Sequence, residues 1–90
     1  MAIDLRIAQC HSLKEKRAVV KTIVEGAKRR FGVAAAEVDH HDMWQRTVLG
    51  FAVVSGSMAH AEEVLATVER FVWSFPEVEV VDATMQWMDT

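Results

Sequence analysis

The order in which the hydrophobic period changes along the chain limits the fold more than any other feature. The first stretch, AIDLRIAQ, alternates apolar Ile3, Leu5 and Ile7 with polar residues, and this period of two indicates a strand. A helical period begins at Leu13, and two strand-like stretches, a second helical stretch and a last strand follow. The predicted order is therefore β-α-β-β-α-β, in a single domain over residues 1–90.

Signals for both ends of the first helix are present. Ser12 and Glu15 form an S-x-x-E capping box, in which the hydroxyl accepts a helical amide and the carboxylate reaches back to the cap amide. Gly32 follows the last apolar residue and suits a left-handed C-terminal position. The spacing predicts a helix over 13–31, with one apolar stripe made of Leu13, Val20, Ile23, Val24, Ala27 and Phe31.

The remaining elements are bounded by turn and breaker residues. A strand over 33–39, the polar turn HHDMWQ and a β-branched strand over 46–56 predict a hairpin. A second helix, capped by Ser57 or Ser55, is expected to run to about Phe75 and to stop at Pro76. A last strand is predicted over 78–88.

This order predicts a ferredoxin-like α+β sandwich, a four-stranded antiparallel sheet with both helices on one face. Alternation in the strands assigns Leu5, Phe51 and Val81 to the helix-facing side. The open side is expected to carry Asp4, Arg6, Ala8, Val48, Gly50, Ala52, Val54, Asp82, Thr84 and Gln86. Because an open face of small and partly apolar residues suits self-association, we expect a homodimer.

Cysteine count and hydropathy bear on the compartment. The single cysteine, Cys10, excludes an intramolecular disulfide framework and a CxxC zinc pattern, which fits a reducing cytoplasm. No apolar run approaches the roughly 20 residues of a membrane span, and the N-terminus does not read as a signal peptide. We therefore expect a cytoplasmic protein with no membrane association.

Charge is divided unevenly along the chain. Residues 1–31 carry eight basic and three acidic side chains, a net of +5, whereas residues 32–90 carry two basic and ten acidic side chains, a net of −8. This division argues against a protein that coats nucleic acid generally, but it permits a local basic patch.

The basic patch is predicted at the start of the first helix. Lys14, Arg17 and Lys21 fall within about 60° of one another on the helix, and Lys16 lies in the same turns. The helix dipole disfavours cations there, while the free amides of a helix N-terminus attract anions. The alternative interpretation is a solvated helix face.

The predicted topology brings the turn between the second and third strands to the same end as this patch. Trp44 and Gln45 belong to that turn, and Arg46 leads away from it. Trp44 either covers the core or serves as a stacking or protein-contact residue. The sequence therefore predicts a non-enzymatic binding module for RNA, a ribonucleoprotein or another partner. Its predicted contact residues are Lys14, Lys16, Arg17, Lys21, Trp44, Gln45 and Arg46.

A metal- or small-molecule-binding enzyme, or an accessory protein to one, is the alternative function. Its site at the same end would use Cys10, His11, His40, His41 and Asp42, which are residue types that bind zinc, nickel or iron. The plainer interpretation of His40–Asp42 is a polar turn. No cofactor is predicted.

Trp73 lies opposite the apolar stripe of the second helix, which predicts an exposed indole and a protein contact. RNA-recognition motifs share this topology, but they stack bases on aromatic residues of the open sheet face. The open face predicted for this chain carries no aromatic residue, which argues against that mode of binding.

Two stretches, SLKEKRAVVKTIVEGAKRRFGVAAAEVD and DMWQRTVLGFAVVSG, resemble the YlxP-like family of small bacterial proteins. The resemblance runs from about Ile3 to Val81, and its most specific parts are SLKEKR at 12–17, RF-V--AEV at 30–38 and D-WQR at 42–46. It implies a ferredoxin-like fold and an association with translation, and it implies no enzymatic activity. His40 and His41 depart from the family pattern.

Overall fold

The computed structural model describes residues 1–87, in which two helices cover one side of a four-stranded sheet. The elements are β1 Ala2–Arg6, α1 Leu13–Phe31, β2 Ala34–Asp39, β3 Arg46–Ala52, α2 Met58–Trp73 and β4 Glu79–Thr84. The strand order is β2-β3-β1-β4, and all three neighbouring pairs are antiparallel. The predicted ferredoxin-like α+β fold is confirmed. Neither helix in this range has the combination of length and apolar character that a membrane crossing requires.

The ends of α1 follow from its capping residues. Ser12 is extended, and its hydroxyl accepts the amide of Glu15 at 3.1 Å. The Glu15 carboxylate accepts the amide of His11 at 2.8 Å, one residue earlier than the cap amide that the sequence predicted. Gly32 has a φ of 65°, and its amide donates to the carbonyl of Lys28. The helix therefore has the predicted bounds.

The core lies between the helices and one face of the sheet. The alternation predicted for the two central strands is confirmed, because Ile3 and Leu5 of β1 and Leu49 and Phe51 of β3 are buried. The helices contribute the apolar residues Ile23, Val24, Ala27, Leu65, Val68 and Val72 to the same core. Several predicted elements are shorter in the structure: β1 ends at Arg6, β3 at Ala52, α2 at Trp73 and β4 at Thr84.

A bulge changes the predicted register of β4. Val80 pairs with Leu5 and Asp82 with Asp4, so that Val81 has no partner in the ladder. Val81 is 51% exposed, whereas Val80 packs against the core. The prediction that Val81 faces the helices is wrong, because Val81 is itself the extra residue of the bulge and Val80 takes the helix-facing position opposite Leu5.

A second bulge lies at Val38 in β2. Glu37 pairs with Leu49 and Asp39 with Val48, which leaves Val38 unpaired and exposed. A methyl group at Gly50 would meet Cγ1 of Val38 at 3.0 Å, so that the valine lies over the glycine on the open face. Each edge strand of the sheet therefore carries one bulge.

Candidate binding surface at the start of α1

Lys16 is enclosed beneath the first turns of α1. It is 0% exposed, and its Nζ lies 2.8 Å from Oε2 of Glu37. The same ammonium donates to the backbone carbonyls of His40 and His41, the second at 3.3 Å. Because an ammonium has three donors, these three oxygens satisfy its hydrogen-bonding capacity.

Glu37 and Thr47 complete this buried polar network. Both lie in the helix-facing register, Glu37 opposite Leu49 and Thr47 opposite Leu5. The Thr47 hydroxyl donates to Oε2 of Glu37 at 2.5 Å. Burial acts to raise the pKa of Glu37, but the hydrogen bonds from Lys16 and Thr47 and the charge of Lys16 outweigh it and hold that pKa below its ordinary value.

The position of Lys16 corrects its predicted role. The sequence grouped Lys16 with the exposed cations of α1, but its ammonium has no solvent access and is already paired. A cation in this position joins α1 to β2 and to the β2–β3 turn instead of offering a charge to a ligand. Lys16 is therefore not part of an exposed anion-binding surface.

Gln45 also joins the turn to the start of α1. Its side-chain amide donates to the carbonyls of Ala8 and Cys10, at 3.1 and 3.3 Å. Its backbone carbonyl accepts the amide of Ile7 at 2.9 Å. With Lys16, Gln45 holds residues 40–45 against the β1–α1 connection, so the structure brings together the two segments that the sequence placed at one end.

Arg46 lies on the other side of the sheet. Its guanidinium binds both carboxylate oxygens of Asp4, at 2.9 and 2.8 Å, in a bidentate pair on the open face. Lys14 and Arg17 are on α1, which covers the opposite face. The sheet therefore separates Arg46 from these two cations, and Arg46 does not join them in one surface.

Three of the predicted cations remain available to a ligand. Lys14, Arg17 and Lys21 are exposed, and none of them forms an ion pair with a carboxylate among residues 1–87. Trp44 is 53% exposed and follows the residues that Lys16 holds. We define the α1 surface as Lys14, Arg17, Lys21 and Trp44.

The residues proposed for a metal site are dispersed. Cys10 is buried beside a cavity of about 180 Å³, and burial and the charge of Glu15 raise the pKa of its thiol. His41 Nε2 lies 3.2 Å from the carbonyl of Glu37. His40 has a φ of 59° and its Nδ1 lies 4.0 Å from Asp39. In the part of the chain that the structure describes, no three His, Cys, Asp or Glu side chains are placed to hold a metal ion.

Trp73 is exposed at the end of α2, where its indole Nε1 donates to Glu69 at 3.3 Å. The sequence predicted this exposure from its position opposite the apolar stripe. The structure adds an acidic neighbour, which makes the surroundings of Trp73 different from those of Trp44.

Comparison with known proteins gives the same family twice. A family model described as "Protein of unknown function (DUF503)" matches residues 1–85. The chain is 43% identical over 76 residues to "Uncharacterized protein YlxP" of Bacillus subtilis (strain 168), a match that covers 84% of this chain and 83% of that protein. Neither description states an activity or a ligand.

Proposed function

The chain belongs to the DUF503 family of proteins of unknown function, as its YlxP-like motifs predicted, and we propose that it is a non-enzymatic RNA-binding module that contacts RNA through the α1 surface. The observation that supports the proposal is that three cations of α1 are exposed and form no ion pair among the described residues. Lys14, Arg17 and Lys21 are exposed on one face of α1 without a described carboxylate partner. Phosphate binding by such cations releases counterions and needs no further protein group.

The distribution of charge favours one orientation of the bound RNA. The exposed acidic residues Glu62 and Glu63 lie on α2, whereas the exposed cations of the α1 surface lie on the neighbouring helix. A polyanion is therefore repelled by the acidic residues of α2 and attracted by the cations of α1. Binding is therefore expected at one part of the helical side only.

Trp44 adds a contact that is not electrostatic. Its exposed ring lies in a turn that two separate anchors hold, the Lys16 ammonium and the Gln45 amide. A ring on a restrained turn offers a base a stacking platform at low entropic cost. The buried network thus supports binding without touching the ligand.

Self-association and a cytoplasmic setting belong to the same proposal. A domain of 90 residues buries a modest core, so a second copy adds stability. The single cysteine, which is buried and unpaired, is compatible with a reducing compartment.

Charge reversal at one exposed cation tests the proposal. Fluorescence anisotropy of a labelled single-stranded RNA would compare the wild type with Arg17→Glu and with the matched control Arg70→Glu on α2. We expect the affinity to fall roughly tenfold for Arg17→Glu and by less than about twofold for the control. Absence of RNA binding at low salt, or an equal loss in both variants, would overturn the proposal.

A further inference from the structure

We propose that β4 and the adjoining side of α2 bind a basic, extended segment of another protein, which adds to the sheet as a fifth strand beside β4. We define this surface, the β4 flank, as Glu62, Glu69, Trp73, Val81, Asp82 and Ala83. It lies at the edge of the sheet remote from β2. The proposal does not depend on RNA binding by the α1 surface.

One side of α2 is turned away from α1 and towards β4. The strand order is β2-β3-β1-β4, and α1 contacts β2 whereas α2 contacts β4. Phe71 packs edge-on against Phe31 of α1, which identifies the side of α2 that faces its neighbour. A step of 100° per residue places Glu62, Glu69 and Trp73 within about 40° of one another. All three lie at least about 160° around the helix from Phe71, on the side of the β4 edge.

The edge strand β4 is open to a further strand. Among the described residues it pairs with β1 alone, so the amide and carbonyl groups on its outer side have no neighbouring strand. The helices also leave its apolar side chains uncovered. Ala83 stands opposite the buried Ile3 in the helix-facing register and yet is exposed, and Val81 is exposed beside it. An added strand would pair the free backbone groups and cover these side chains.

The charged side chains of the β4 flank are all acidic. Neither Glu62, Glu69 nor Asp82 forms an ion pair within residues 1–87. Asp82 stands opposite Asp4, whose two carboxylate oxygens are already bound by Arg46. Because like charges in opposite positions destabilise a strand pair, a cation supplied from outside the chain would stabilise this edge.

Two arginines of the neighbouring elements do not compensate these charges. Arg70 of α2 donates to the hydroxyl of Thr67, which lines a cavity beside Phe31 on the α1 side of the helix. Arg6 of β1 stands opposite Glu79, so its charge is matched there, and Glu79 is not part of the β4 flank. The acidic charge of the β4 flank is therefore left without a cation.

This charge selects a basic segment and not a second copy of the chain. Two β4 strands placed edge to edge would bring acidic side chains together, and charged residues on an edge act against such pairing. A segment that carries lysine or arginine complements the surface. Because successive residues of a strand point to opposite sides, it can place a cation beside Asp82 and an apolar side chain beside Ala83. The exposed ring of Trp73 offers a further contact for a cation.

Peptide binding tests this inference. Fluorescence anisotropy would compare two labelled peptides long enough to span β4, one of alternating lysine and valine residues and one of alternating glutamate and valine residues. We expect saturable binding of the lysine peptide, roughly tenfold tighter than that of the glutamate peptide. Glu62→Lys should weaken binding of the lysine peptide about fivefold. The matched control Glu63→Lys, beside the cavity on the α1 side, should weaken it by less than about twofold.

Hydrogen–deuterium exchange separates strand addition from a contact between charges alone. The lysine peptide is expected to slow exchange of the amides of β4 and to leave those of the other edge strand, β2, unchanged. Absence of saturable binding, equal binding of the two peptides, or binding without protection of β4 would overturn the inference. Protection of β4 that rises with protein concentration in the absence of peptide would assign the edge to a second copy and would also overturn it. The RNA-binding assay is unaffected by any of these results.

Discussion

A close ion pair lies on each face of the sheet, Lys16 with Glu37 on the helical side and Arg46 with Asp4 on the open side, and the two pairs differ in their surroundings. On the helical side the Lys16 and Glu37 side chains are 1% and 16% exposed, whereas on the open side those of Arg46 and Asp4 are 34% and 25% exposed. Both pairs have a closest contact of 2.8 Å. Solvent screens the Arg46–Asp4 pair but not the Lys16–Glu37 pair. The two pairs therefore contribute differently to stability although their contact distances are the same. The environment of a cation, and not its residue type, decides whether it is structural.

The largest effect is expected where one partner of the buried pair is removed. Lys16→Met leaves the buried Glu37 carboxylate without its cationic partner and removes the ammonium that donates to the His40 carbonyl, and we expect a loss of about 3 kcal/mol in the free energy of unfolding. Urea denaturation measures it. The matched variant Lys14→Met removes an exposed cation from the same helix and is expected to change stability by less than about 0.5 kcal/mol.

Removal of both charges sharpens this comparison. Lys16→Met/Glu37→Met leaves no uncompensated charge, so we expect it to be more stable than Lys16→Met alone, by about 1 kcal/mol or more. If the double variant were less stable than the single variant, the charge of Glu37 would not be the source of the loss.

The buried pair also predicts the direction of a pH dependence. The pKa of Glu37 is lowered in the folded chain, so its contribution is present above its ordinary value of 4.5 and is lost as pH falls through the folded pKa. Glu37→Gln is expected to cost about 2 kcal/mol at pH 7. The difference in the free energy of unfolding between wild type and Glu37→Gln, measured by urea denaturation, should decrease below pH 4.5. A difference that increases on acidification would contradict a lowered pKa of Glu37 in the folded chain.

A smaller effect is expected for the pair on the open face. Arg46→Met leaves Asp4 in contact with solvent, and we expect a loss of about 0.5 to 1 kcal/mol. The loss should decrease in 1 M salt, where exposed charges are screened within about 3 Å. A loss as large as that of Lys16→Met would show that the two pairs have the same role.

The smallest effect on stability is expected for Trp73. Its ring is exposed, and its indole Nε1 donates to the exposed side of α2 at Glu69, so Trp73→Ala should change the free energy of unfolding by no more than about 0.5 kcal/mol. The sequence predicted a protein contact at this position, and comparison of the proteins that copurify with wild type and Trp73→Ala in native lysate measures it. An identical set would argue against that contact.

Local signals explain why much of the fold could be predicted. The cap at Ser12, the left-handed Gly32 and the alternation of Ile3 and Leu5 depend on neighbouring residues only, and the structure has each of them. The bulge at Val81 depends on pairing with β1, a contact distant in the chain. No local pattern distinguishes Val80 from Val81 as the residue that turns inward.

The buried network carried a signal that the prediction did not use. A step of 100° per residue places Lys16 between Ile23 and Ala27, within the apolar stripe of α1. Glu37 and Thr47 alternate with solvent-side residues in the helix-facing register of their strands. A lysine, a carboxylate and a hydroxyl that all point towards one core predict a buried polar network.

The hydrogen bonds of Gln45 had no comparable signal. The side chain binds backbone carbonyls of Ala8 and Cys10, and every residue offers such a carbonyl. The pairing of Arg46 with Asp4 lies between these cases, because both residues belong to the open-face register but only the pairing of β1 with β3 brings them into contact.

The salt dependence of RNA binding tests most directly the division between exposed and buried cations. The slope of log K against log salt concentration would be measured by anisotropy for wild type, Lys14→Met, Lys16→Met/Glu37→Met and the control Arg70→Met. We expect the magnitude of the slope to fall by about 0.7 for Lys14→Met and to stay unchanged for the other two variants. A slope that is unchanged in Lys14→Met, or that falls when the buried pair is removed, would contradict the assignment of Lys14 to binding and of Lys16 to structure.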